Sequence, residues 1–308
     1  MNEIPTMLYN FSIKSCVLVL TLLALLLSKV SYANTDDMRI VVSGGSITEI
    51  IYALGEQDKI VGVDSTSIYP IEAKQKPQVG YVRRIGSEGV LSLKPTLLLG
   101  EADTGPPKVL AQLQQTGLAN YIFSKEDNYL GIEAKIRKIA SLLGVEEKGE
   151  QLVNQVARDR EALNFVLKQK QSTPKVLFIL SMRSGQPIVA GKATSANEVI
   201  TAVQATNVAE QLQGWKAIST EAVLEMNPDV ILMMSRHGND PAVDIANQSH
   251  FKFTNAVKNN RVYSFDGTYL LGMNPRTPKA VIEVAKKLYP EINLPSGYSL
   301  AALNKASK

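Results

Sequence analysis

The feature that most constrains this chain is a helical stretch at its centre. Residues 146–171 contain no proline, and no glycine after Gly149. Leu152, Val156, Leu163 and Leu167 recur at helical spacing and share one face. At 1.5 Å per residue the stretch makes a rod of ~35 Å. On both sides the pattern changes to short apolar runs alternating with helical ones. Residues 39–43, 60–63 and 96–99 read as strands. Residues 47–54 read as a helix ended by Gly55, and 88–93 as a short helix stopped by Pro95. The alternation restarts at 175–180, KVLFIL. Strands alternating with helices imply parallel sheets covered by helices. The expected fold is therefore α/β, with two Rossmann-like lobes built on parallel sheets, joined by a single long α-helix, and a ligand cleft between them. The length of 308 residues agrees, being more than one globular domain usually holds. The expected boundaries are 34–145 for the first lobe, 146–171 for the helix and 172–308 for the second lobe.

An internal repeat supports matched halves. Ser87-Glu-Gly-Val-Leu-Ser-Leu-Lys-Pro-Thr-Leu-Leu-Leu99 aligns with Thr220-Glu-Ala-Val-Leu-Glu-Met-Asn-Pro-Asp-Val-Ile-Leu232, each running helix, proline, strand. Ser46-Ile-Thr-Glu49 and Ser195-Ala-Asn-Glu198 form a second pair, each opening an apolar helix. A serine three residues before a glutamate is the signature of a capping box.

The N-terminus carries a different signal. Lys14 precedes an apolar run over 17–27, and Ser31-Tyr32-Ala33 supplies small residues where a signal peptidase reads them. This predicts a secretory signal peptide over residues 1–33, cleaved after Ala33. The run is well short of the ~20 residues a spanning helix needs. The single cysteine, Cys16, lies inside this segment and precedes most of the apolar run, where a lipid-attachment cysteine would follow it. The mature chain is thus expected to be cysteine-free and soluble.

Candidate chemistry is sparse. The net charge of +4 is spread thinly and gives no basis for nucleic-acid binding. His237 and His250 are the two histidines, whereas a transition-metal site usually needs several converging ligands. There is no nucleophile elbow, no phosphate-binding glycine loop and no Ser/His/Asp set with fitting spacing. The chain does not read as an enzyme.

Gly44-Gly-Ser-Ile-Thr-Glu-Ile-Ile-Tyr-Ala-Leu-Gly55, Ile60-Val-Gly-Val-Asp64, Val79-Gly-Tyr-Val-Arg83 and Glu88-Gly-Val-Leu-Ser-Leu-Lys-Pro95 resemble the haem-binding periplasmic proteins of bacterial ABC importers. Ala190-Gly191, Asn197-Glu-Val-Ile200, Asn227-Pro-Asp229, Leu270-Leu-Gly272 and Pro275-Arg-Thr-Pro278 extend the resemblance across the mature chain. The strand and helix segments are shared with cobalamin and siderophore binders; the Gly-Tyr-Val-Arg segment is what points to haem. The resemblance implies a monomeric periplasmic protein that captures haem and hands it to an inner-membrane permease and its ATPase. Cobalamin or a ferric siderophore in the same fold is one alternative, and an exported enzyme is another.

In that family the tyrosine at the position of Tyr81 is the axial ligand of ferric haem. Phenolate is a hard oxygen donor suited to Fe(III). A free tyrosine titrates near pH ~10, so the phenolate needs support. Arg83, two residues on, falls on the same side if the segment is extended. Arg84 and Arg236 are candidates for the haem propionates, since arginine binds carboxylates bidentately. Relatives carry a histidine as sixth ligand where this chain has Met182. That leaves Met182 as a weak ligand or a packing contact, His237 as a ligand, or a five-coordinate iron. Tyr269, Met273 and Trp215 are candidates for an apolar cleft wall. The resemblance also implies that Glu49 and Glu198, one per lobe, dock against the permease.

Overall fold

The computed structural model describes residues 38–124, 129, 131–235, 241–248 and 251–300. The predicted signal peptide and Cys16 lie outside them, as do Arg236, His237 and His250. In chain order the first lobe contains β1 (Ile40–Ser43), α1 (Gly45–Ala53), β2 (Ile60–Val63), β3 (Gly80–Tyr81), β4 (Arg84–Ile85), α2 (Ser87–Ser92), β5 (Leu97–Gly100), α3 (Pro107–Gln115), β6 (Ala119–Ile122) and α4 (Gly131–Leu143). The long helix α5 (Glu146–Leu167) follows. The second lobe contains β7 (Lys175–Arg183), β8 (Gln186–Ala190), α6 (Ser195–Ala202), β9 (Thr206–Asn207), β10 (Trp215–Ala217), α7 (Thr220–Met226), β11 (Val230–Ser235), α8 (Pro241–Asn247), α9 (Asn255–Lys258), β12 (Val262–Asp266), α10 (Gly267–Leu271) and α11 (Thr277–Leu288).

The first sheet has the order β2-β1-β5-β6 and is parallel throughout. Its strands are nearly continuous apolar runs because helices cover both faces. Val41 and Leu98 pack toward α2 and α3, while Val42 and Leu99 pack toward α1 and α4. The second sheet, β10-β8-β7-β11-β12, is mixed, which corrects the expectation of two parallel sheets. Strands β7, β11 and β12 are parallel, but β7 and β8 form an antiparallel hairpin. The cause is local: Ser184 and Gly185 both adopt positive φ, at 49° and 79°, which suits a tight hairpin turn.

Helix α5 ends at Leu167, short of the expected 171. Its first half buries Val153 and Val156 in the first lobe's core, and its second half buries Ala162, Leu163, Val166 and Leu167 in the second's. Contacts knit the chain from Met38 onward into one compact unit. Met273 follows α10 of the second lobe, yet its side chain packs in the first lobe's core. Burying such a side chain contributes roughly 1.5–3 kcal/mol, so the junction between lobes is an apolar contact as well as a chain connection.

Candidate functional site

Tyr81 stands on a two-stranded hairpin attached to the C-terminal end of β2. Backbone bonds Val79 N→Val63 O, 2.9 Å, and Ser65 N→Gly80 O, 2.8 Å, fix that attachment. Gly80 has φ 116°, and a Cβ there would lie 2.5 Å from the Arg84 carbonyl oxygen, so only glycine lets the hairpin close. Val82 and Ile85 turn inward and anchor it. Tyr81, Arg83 and Arg84 turn outward, with Tyr81 42% exposed.

Tyr81 and Arg84 are direct cross-strand partners, which puts their side chains on one face. Arg83 lies in the turn rather than in an extended strand, yet its Nη1 donates to Tyr81 Oη at 3.3 Å. Its Nη2 donates to Asp103, which follows β5. That hydrogen bond holds the Arg83 guanidinium above its ordinary pKa. The site is thus an exposed tyrosine with one guanidinium hydrogen-bonded to its hydroxyl and a second arginine as its cross-strand partner. Such an arrangement can offer a hard anionic oxygen donor and pair with carboxylates.

The other expected residues lie elsewhere. Met182 is half-buried on β7 and packs against the apolar cluster of the second lobe beneath it. Trp215 meets Phe178 edge-on at 6.1 Å. Tyr269 is also half-buried, and its hydroxyl donates to Glu283 Oε1 at 2.9 Å. Burial and the Glu283 charge raise its pKa, so its polar end belongs to α11 and not to an open cleft wall.

Glu49 departs most from expectation. It is 5% exposed. Arg276, at the start of α11, grips it with Nε→Oε2 at 2.7 Å and Nη2→Oε1 at 2.8 Å. Asn274 Nδ2 adds a bond to Oε1 at 3.1 Å. The Tyr69 ring lies 3.4 Å from the Arg276 guanidinium carbon. Burial pushes the Glu49 carboxyl up to about 7, against the pull of Arg276. A carboxylate so enclosed is no surface docking group. Nor is it a helix cap: α1 begins at Gly45, and Ser46 Oγ instead donates to Glu101 Oε1 at 2.7 Å. At α6 the cap is Thr194, which accepts from Asn197 N at 3.1 Å, and Glu198 is half-buried in the helix body. Sequence reasoning missed Asp103, Tyr69 and the pairing role of Arg276. The Pro275-Arg-Thr-Pro278 segment marks Arg276, but nothing local points to its partner.

The chain is similar as a whole to proteins of known kind. The heme-bound structure of the periplasmic heme-binding protein BhuT superposes with a TM-score of 0.76 at 33% identity, covering 81% of this chain and 97% of that one. The apo periplasmic heme-binding protein RhuT from Roseiflexus sp. RS-1 gives 0.74 at 34% identity, covering 82% and 98%. The vitamin B12-binding protein of Vibrio parahaemolyticus is 30% identical over 269 residues, 86% of this chain and 94% of its own length. The periplasmic binding protein family matches residues 40–269. With its two α/β lobes bridged by one long helix, the chain belongs to that family of ABC-importer substrate-binding proteins.

Proposed function

We propose that this protein captures ferric haem outside the cytoplasm and delivers it to an ABC permease. The observation that carries the reading is Tyr81: an exposed phenol held by Arg83 at 3.3 Å, with Arg84 across the hairpin. Among the described residues no three His, Cys, Asp or Glu side chains converge to hold a bare ion. A lone tyrosine suits a metal that arrives in its own chelate, as iron does in a porphyrin. Phenolate then supplies the axial oxygen, and arginines neutralise the propionates. Arg84 is the hairpin's propionate candidate, with Arg236, the next residue in sequence after β11, as a second. Iron is five-coordinate in this reading, since Met182 packs on the second lobe's apolar cluster and a soft sulfur matches phenolate-bound Fe(III) poorly. Export follows from the predicted signal peptide.

Permease docking needs carboxylates at the surface. Glu49 is closed into the lobe junction. Glu88 and Glu221 hold matched places in the internal repeat and lie exposed in the first turns of α2 and α7. We assign them the docking role, one per lobe, as a two-fold transporter requires.

Hemin titration tests the ligand. The wild type should give the spectrum of tyrosinate-ligated ferric haem, and Tyr81→Phe should abolish it. The similarity to vitamin B12-binding proteins favours cobalamin as the second reading. Calorimetry with cyanocobalamin separates the two: heat with the corrinoid and no spectral change with hemin would overturn the haem assignment.

A further inference from the structure

We infer that Asp103 is a positioning residue for the Tyr81 ligand, acting through Arg83. The inference rests on the haem reading only for what Tyr81 binds. Arg83 divides its two terminal nitrogens: Nη2 goes to Asp103, and Nη1 to Tyr81 Oη at 3.3 Å. An arginine side chain this exposed, at 62%, has a flexible stem and many places to go. Asp103 limits them.

The carboxylate can do so because the loop that carries it is fixed at its backbone. Gly105 N donates to Val82 O at 3.0 Å, and Ile85 N donates to Gly105 O at 2.9 Å. These two bonds stitch the Asp103 loop to the Tyr81 hairpin. Thr104, 5% exposed, anchors the loop from beneath through Oγ1→Ser43 O at 3.2 Å. Guanidinium is planar and rigid, so fixing one nitrogen fixes the direction of the other. Asp103 therefore aims an N–H at the phenol oxygen, on a tyrosine that is 42% exposed. A donor held in place stabilises the phenolate more than one that must be recruited from solvent.

Asp103 also brings a negative charge, which would weaken Arg83's effect if charge were its main action. The two roles predict opposite signs, and a set of variants separates them. The first arm uses apo protein with tyrosine labelled at the ring carbon bearing the hydroxyl. Arg83→Ala and Asp103→Ala should move the Tyr81 resonance in the same direction and by similar amounts. The double variant should move it no further. Asp103→Asn keeps an acceptor for Arg83 and should recover at least half of the change. The second arm uses the hemin complex and the pH at which the tyrosinate spectrum is lost on acidification. Asp103→Ala should raise that midpoint by about one pH unit, as expected for loss of a charged donor near an anion.

An unmoved Tyr81 resonance in Asp103→Ala or in Arg83→Ala overturns the inference, as does a further shift when both are replaced. A lowered acid midpoint in Asp103→Ala overturns it too, by showing that Asp103 screens Arg83 instead of aiming it. If the wild type shows no tyrosinate spectrum with hemin, the haem reading falls. The apo arm then still decides whether Asp103 positions Arg83.

Discussion

Two clusters in this molecule use the same three residue types, a tyrosine, an arginine and a carboxylate. At the lobe junction Arg276 lies against the Tyr69 ring and gives both arms of its fork to Glu49. At the hairpin Arg83 gives one arm to Asp103 and the other to the Tyr81 hydroxyl. Burial separates their roles. In the junction cluster the charges face each other, the Glu49 oxygens are occupied, and the lobes are tied across 227 residues of sequence. In the hairpin cluster the side chains of Arg83 and Asp103 are 62% and 47% exposed, and Tyr81 is exposed beside them. A closed fork holds structure together, whereas a divided fork leaves a ligand atom ready.

The sharpest way to break this comparison is to remove one carboxylate from each cluster. Glu49→Ala leaves the Arg276 guanidinium buried without its partner. Breaking a buried pair from one side costs about 3–5 kcal/mol. The urea midpoint should fall accordingly, with the slope of the transition unchanged. A loss below about 1 kcal/mol would show that the junction pair is open in solution and that the contrast with Asp103 is false.

The next effect is on pH. Glu49 is buried, and its carboxyl titrates near 7 instead of the ordinary 4.5. Burial is the main cause; Arg276 opposes it and Asp266 adds to it. The folded state therefore holds this proton more tightly than the unfolded state does. The stability this contributes is complete below about pH 4.5 and is lost as pH rises through 7. At 1.36 kcal/mol per pK unit, unfolding free energy should fall by about 2–3 kcal/mol from pH 5 to pH 8. Glu49→Gln should flatten that part of the profile. A wild-type profile that superimposes on the Glu49→Gln profile would show that the carboxylate is fully repaid by Arg276 and Asn274. The direction also fits the nature of such pairs, whose attraction often falls short of the cost of burying two charges. The pair then serves lobe registry more than stability.

The contrast also explains what could be read from sequence. The long helix and the parallel first sheet were legible because apolar spacing reports which face is buried. The contact between Arg83 and Tyr81 was legible because the two residues lie in one short motif. Glu49 was misread for the opposite reason. Its spacing from Ser46 looks like a local cap, but its partner lies on another lobe, and local spacing carries no trace of it. The same limit hid Asp103, which meets Arg83 only because β5 lies beside the hairpin's anchor. The mixed second sheet was missed at Ser184-Gly185, two small residues that in hindsight mark a tight turn between β7 and β8. The exposed cluster was therefore half legible and the buried one hardly at all, since tertiary contacts make up most of it.

The smallest expected effect completes the comparison from the other side. Asp103→Ala removes a carboxylate that makes a charge-assisted bond to arginine, as Glu49 does. Its partner is already solvated, so nothing is left buried and unpaired. Exposed ion pairs contribute about 0–1 kcal/mol, and the urea midpoint should shift by no more than that amount. High salt should narrow even this difference, because exposed charges are screened. If Asp103→Ala instead destabilised the fold as much as Glu49→Ala, the Asp103 carboxylate would be holding the loop after β5 in place. Its effect on Tyr81 would then follow from a displaced hairpin and not from an aimed guanidinium. A small stability change together with a clear change at Tyr81 is the combination that only a positioning role produces.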